Sequence, residues 1–113
     1  MRYMFLVYSN CSEDLVPGTA EWDAALAGCA DFDREAEVRG ASRSGGPLRP
    51  ASFARTVRKR DGEVLLTDGP FAETKEQLAG YVLVDCKDLD DALYLAARFA
   101  PGHSAIEVRP VVE

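Results

Sequence analysis

The residues able to do chemistry are concentrated between Thr67 and Tyr81, in the run TDGPFAETKEQLAGY. Asp68 is a carboxylate that can accept hydrogen bonds or serve as a general base, and it stands directly before Gly69-Pro70. Gly69 tolerates positive φ, and Pro70 fixes φ while lacking an N–H, so the chain turns rigidly here. An Asp at such a turn also commonly caps the N–H groups that follow it, which is the structural alternative to a catalytic role. Phe71 comes next, then three charges within four positions, Glu73, Lys75 and Glu76. They suit either the polar rim of a cleft or a solvated loop. His103 is the only histidine. Imidazole is useful for proton transfer near neutral pH, although a lone loop histidine is more often a bystander. The candidate catalytic residues are therefore Asp68 and His103. The candidate ligand contacts are Tyr8, Asp68, Phe71, Glu73, Lys75, Glu76, Tyr81 and Arg109. Arg109 is expected to pair with Glu73 or Glu76, or else to clamp an anion.

Other chemistries leave no trace. The chain has no phosphate-binding loop, no dinucleotide fingerprint, no paired metal-binding histidines and no nucleophile elbow. Cys11, Cys29 and Cys86 are widely spaced without a C-x-x-C pair, so they read as reduced thiols rather than a disulfide framework or zinc site. Neither a metal nor a cofactor is expected. At 113 residues, 47% hydrophobic and 28% charged, the composition is that of one ordinary globular domain. The net charge of −6 argues against direct nucleic-acid binding. Arg39, Arg43, Arg49, Arg55, Arg58, Lys59 and Arg60 nevertheless follow one another without an intervening acid. They form either a patch for an anionic partner or a solvated face whose charges meet acids elsewhere. No apolar run approaches the roughly 20 residues of a membrane span. The apolar start, Met1–Tyr8, is short and lacks a small-residue cleavage site, so it reads as a first strand of a cytoplasmic protein.

The elements that must position these residues follow from periodicity. Tyr3–Tyr8 is a continuous apolar and aromatic run, as in a central strand. Thr19 is placed to cap a helix running to Arg39, with Gly40 just past its end. Its apolar stripe reads Trp22, Leu26, Cys29, Phe32 and Ala36. Ala41–Leu48 is rich in serine and glycine and closed by prolines, an irregular edge strand. Asp61-Gly62 predicts a type I′ hairpin turn that sets Arg60 opposite Glu63, Arg58 opposite Leu65 and Val57 opposite Leu66. Tyr81–Val84 is a further apolar strand. Asp88 caps a second helix with the stripe Leu89, Ala92, Leu93, Ala96 and Ala100. Ile106–Val111 alternates as a last strand. The order is βαββαβ with an inserted hairpin, an α+β ferredoxin-like arrangement in which two helices cover one face of an antiparallel sheet. The other face stays bare within one chain, which predicts a homodimer.

The run DGPFAETKEQLAGY, together with EVRPV at Glu107–Val111, resembles the DGPF-type branch of the YCII-related family across nearly the whole of residues 1–113. The resemblance implies a ferredoxin-like fold in a dimeric α/β barrel-like assembly. The motif transfers Asp68, Gly69, Pro70 and Phe71, then Glu73, Thr74, Lys75, Glu76, Gly80 and Tyr81, with Glu107, Arg109 and Pro110 near the C-terminus. Relatives have been viewed as candidate enzymes using a His–Asp pair, the histidine lying near the start of the first helix. Here Thr19-Ala20-Glu21-Trp22-Asp23 holds no histidine, so that mechanism does not carry over. Two functions follow. One is a small-molecule-binding protein or enzyme with its pocket in the cleft of a homodimer near the DGPF turn. The other is a non-catalytic regulatory module linked to transcription, with a sigma factor or another regulatory protein as partner.

Overall fold

A computed structural model describes residues 1–9, 17–100 and 105–113. Its centre is strand β1 (Arg2–Ser9), in which Tyr3, Phe5, Val7 and Ser9 are buried and the alternate residues only partly so. That alternation is the period of a pleated strand, and it assigns one face to the core. β1 is flanked antiparallel by β5 (Gln77–Asp85) and β6 (Ala105–Pro110), and β2 (Ser42–Pro47) completes the sheet in the order β2-β5-β1-β6. Strands β3 (Arg55–Arg60) and β4 (Glu63–Asp68) form a separate two-stranded ribbon, reached through a single 3-10 turn at Ala51–Phe53. The architecture is the α+β, ferredoxin-like plan with an inserted hairpin.

Helix α1 (Ala20–Val38) begins where expected, the Thr19 hydroxyl accepting from the Trp22 N–H at 3.2 Å. It ends at Gly40, whose φ of +69° lets the Ala41 N–H turn back to the Ala36 carbonyl (2.9 Å) and its own N–H to Glu37 (3.1 Å). This is the Schellman closure that glycine favours. Helix α2 (Leu89–Phe99) starts at Asp88, whose carboxylate accepts from the Asp91 N–H at 2.9 Å. Both helices lie on the Tyr3–Phe5–Val7 side of the sheet. Phe32 joins the layers, meeting Phe5 edge-on with centroids 6.0 Å apart and Phe99 at 5.1 Å. Phe5, Val84 and Leu95 are fully enclosed, each stabilising the fold by about 1.5–3 kcal/mol relative to exposure.

Both helices are rotated from the stripes the spacing predicts. In α1 the buried line is Ala25, Gly28, Phe32 and Ala36, while Leu26 is 52% exposed. In α2 it is Asp91, Ala92, Leu95 and Ala96, and Leu89 and Leu93 are exposed. Buried Asp91 is the reason for the second shift. It pairs with Arg39 and accepts from the Lys87 N–H at 3.2 Å, so a polar group occupies the inner face and turns Leu89 and Leu93 outward.

The hairpin has the predicted register, with Arg60 opposite Glu63, Arg58 opposite Leu65 and Val57 opposite Leu66, and positive φ at both Asp61 and Gly62. No ion pair joins Arg60 to Glu63, however; register alone does not bring two exposed side chains together. The ribbon stands off the body, leaving Val57, Val64 and Leu66 exposed on one of its faces.

Candidate functional site

The residues predicted to form one site divide into two groups. Asp68 ends β4 with a solvent-exposed carboxylate 3.5 Å from Arg55 across the ribbon. It pairs with a cation rather than capping the turn. Gly69 has φ +94°; its N–H donates to the Ala54 carbonyl at 2.7 Å, and its own carbonyl accepts from the Thr56 hydroxyl at 2.8 Å. Those two bonds clamp the corner that Pro70 stiffens. Phe71 is 72% exposed, with the Arg58 guanidinium 4.6 Å above its ring. Glu73, Lys75 and Glu76 are exposed and form no ion pair among the described residues. The Gln77 amide donates to the Thr74 carbonyl at 2.7 Å and leads the chain into β5.

The second group sits on the sheet face turned away from the helices. Met4, Leu6 and Tyr8 of β1 alternate with the buried residues, so they point to this side. Cross-strand pairing adds Leu83 opposite Met4, Tyr81 opposite Leu6, and from β6 Arg109 and Glu107. The Tyr8 hydroxyl reaches Glu107 at 3.5 Å, and Arg109 Nε donates to the same carboxylate at 2.7 Å. Arg109 is thus held by Glu107, two residues before it, rather than by Glu73 or Glu76. A side chain two positions away on the same strand face is nearer than any loop acid. His103 lies outside the described residues.

The basic run resolves in part into pairs. Arg39 meets Asp91, Arg43 meets Asp33 (3.0 Å) and Glu37 (3.6 Å), and Arg55 meets Asp68. Arg49 stacks on Phe53 at 4.3 Å. Arg58, Lys59 and Arg60 remain on the exposed ribbon without an acidic partner among the described residues.

The concave feature lies on the helix side of the sheet, and of the predicted ligand contacts Tyr81 alone is among its lining residues. A cavity of about 460 Å³ opens between α1 and the β2–β5 edge. Trp22, Leu26, Cys29 and Phe32 form its roof, and Gly45, Gly46, Ala79 and Gly80 are among the residues of its floor. It exists because β2 contributes no side chain at Gly45 and Gly46. Gly45 lies so close to β5 that a Cβ would stand 2.1 Å from the Tyr81 carbonyl oxygen, and its φ is +151°. The helix above therefore faces bare backbone, and its large residues line a void. Within one chain, no residue from Asp68 to Glu76 lines this cavity. Arg43 and Asp33 stand among its polar wall residues. Burial, assisted by the Asp33 carboxylate, pushes the Cys29 thiol above its ordinary pKa, so it stays protonated at neutral pH. Sequence periodicity placed Trp22, Leu26 and Cys29 in the core. The signal for a cavity was the side-chain-poor Gly45-Gly46 that faces them.

The YCII-related domain model matches residues 1–113. The chain belongs to the YCII-related family. An uncharacterized protein of Rhizobium meliloti (strain 1021) is 48% identical over 67 residues, which cover 57% of this chain and 54% of that protein. The match therefore spans about half the length of the curated relative. Among the described residues of this YCII-related domain no helix is long and apolar enough to cross a membrane. No group of three or more His, Cys, Asp or Glu among the described residues is placed to hold a metal ion.

Proposed function

We propose that this YCII-related domain binds a small, largely apolar molecule in the cavity beneath α1. The observation that carries the reading is the cavity itself. An open cavity of about 460 Å³ walled largely by aromatic and aliphatic side chains falls within the ~300–1,000 Å³ range of small-molecule sites. Titration with the neutral fluorophore N-phenyl-1-naphthylamine tests it. Saturable, one-to-one enhancement is expected in the native chain, and its loss in Cys29→Phe, which fills the roof. An unresponsive native chain, or equal binding by the variant, refutes the site.

The assembly belongs to the same proposal. Met4, Leu6, Tyr81 and Leu83 leave an apolar sheet face without a covering layer among the described residues, and a second copy is its natural cover. Four strands about 4.8 Å apart and six to nine residues long present roughly 400–600 Å². A standard interface needs about 800 Å² per partner, so the ribbon would have to contribute as well. In that homodimer Tyr8, Tyr81, Glu107 and Arg109 would line the seam, as would any contribution from the Asp68–Glu76 corner. Sedimentation of the native chain beside Leu6→Glu checks this: a native dimer and a monomeric variant are expected, and a monomeric native chain refutes it. The ribbon also favours a second reading, an interaction module. Exposed Val57, Val64, Leu66 and Phe71 beside Arg58, Lys59 and Arg60 suit an acidic, amphipathic partner such as a helix of a regulatory protein or sigma factor.

A further inference from the structure

The polar groups at the mouth of the cavity narrow the class of molecule it would take, an inference that rests on the cavity being a binding site. Arg43 projects from β2 toward the helices, since it pairs across the sheet with buried Val84. Its Nε donates to Asp33 Oδ1 at 3.0 Å, and Nη1 lies 3.4 Å from the Ala41 carbonyl and 3.6 Å from Glu37 Oε2. A guanidinium has five N–H donors, and the Nη2 pair has no hydrogen-bond partner among the described residues. A donor is therefore on offer at the cavity wall. The charge on offer is different. One cation faces two carboxylates, Asp33 and Glu37, and the Cys29 thiol nearby stays neutral. Among the lining residues Arg43 and Asp33 balance, and Glu37 stands beside the arginine outside the lining, so an incoming anion must compete with two carboxylates for it. Trp22, Phe32 and Phe99 supply aromatic walls.

We infer that the cavity selects neutral, flat aromatic molecules bearing one hydrogen-bond acceptor, such as an aryl carbonyl, which takes its hydrogen bond from Arg43 Nη2. Aromatic walls favour a planar ring by stacking and edge contacts. The free donor favours an acceptor at one end, and the two carboxylates already on Arg43 disfavour a third.

Three naphthalenes of matched size separate these contributions: 2-acetylnaphthalene, 2-ethylnaphthalene and 2-naphthoate, followed by quenching of Trp22 fluorescence. The ketone should bind about 3- to 10-fold tighter than the ethyl compound, the range expected of one net hydrogen bond. The naphthoate should bind weakest of the three. In Arg43→Met the advantage of ketone over ethyl should fall to about one, and in Asp33→Asn the naphthoate should gain affinity. A naphthoate that binds tightest, or a ketone no better than the ethyl compound in the native chain, overturns the inference while leaving an apolar cavity site standing. Failure of all three to bind overturns both.

Discussion

Replacing Gly45 by alanine tests why the cavity has a floor. The added Cβ would lie 2.1 Å from the Tyr81 carbonyl oxygen, 2.8 Å from Val82 Cα and 3.0 Å from the Tyr81 carbonyl carbon. All three are backbone atoms of the neighbouring strand, so no side chain can rotate to make room. The φ of +151° adds strain of its own for a residue with a Cβ. Overpacking costs about 1–3 kcal/mol and a strained backbone about 1–3 kcal/mol more. The two share one relaxation, the peeling of β2 from β5, so about 2–4 kcal/mol in total is expected. At roughly 4–8 °C per kcal/mol for a domain near this size, melting should fall on the order of 10–25 °C. Gly46→Ala is the internal control, because its Cβ would meet nothing within 4 Å and its φ is unstrained. That change should stay within about 0.5 kcal/mol of the native chain. Chemical denaturation of the three proteins, followed by circular dichroism, reads the difference directly. Equal midpoints for the two alanine variants would refute the claim that backbone contact at Gly45 sets the position of β2.

Leu95→Ala should destabilise by about 2–5 kcal/mol, and Leu93→Ala by less than about 1 kcal/mol, because only Leu95 is fully buried; urea unfolding distinguishes them. Asp91→Ala should cost about 2–3 kcal/mol by leaving the Lys87 N–H and Arg39 without their acceptor, and Arg39→Ala in the same background should then add little, as a double-mutant cycle would show. Burial raises the pKa of both Tyr3 and Cys86 in the folded chain. A raised folded pKa means stability that is full below the unfolded value and lost as pH rises through the folded one. Melting temperature should therefore decline from about pH 8.5 upward, and less steeply in Cys86→Ala. Cys29 should resist iodoacetamide at neutral pH, since burial and Asp33 keep it protonated, and 2-acetylnaphthalene should slow its alkylation further at pH 9; unchanged labelling with the ketone present would count against the cavity site.

Local chemistry made much of this fold legible. Thr19, Gly40, Asp61-Gly62 and Asp88 each act at the element boundary their type implies, because capping and turn formation need only neighbours a few residues away. The serines, glycines and closing proline of Ser42–Pro47 likewise marked an edge strand. Helix phase was harder. In α2, leucines at 89, 93 and 95 permit more than one inner face, and the choice depends on Arg39, far away in sequence, receiving Asp91. The cavity was hidden for a related reason. Trp22, Leu26 and Cys29 look like core until they are known to face Gly45-Gly46, and that is a long-range placement. The DGPF corner shows the opposite limit. Its turn is readable, but its exposed charges settle into partners, such as Arg55 for Asp68, that motif spacing does not specify.

The ribbon leaves and rejoins the body at Ala54 and Gly69, whose backbone groups are joined by one 2.7 Å hydrogen bond. Whatever lies between those two points is a side branch with its doorway already closed. The entropy of closing a loop grows only with the logarithm of its length, so the branch can lengthen, shorten or change its lettering at little expense to the sheet. A foreign peptide spliced between Asp61 and Gly62 should therefore ride on an undisturbed domain. Evolution could likewise have revised this limb to meet new neighbours while the four-stranded frame stayed as it was.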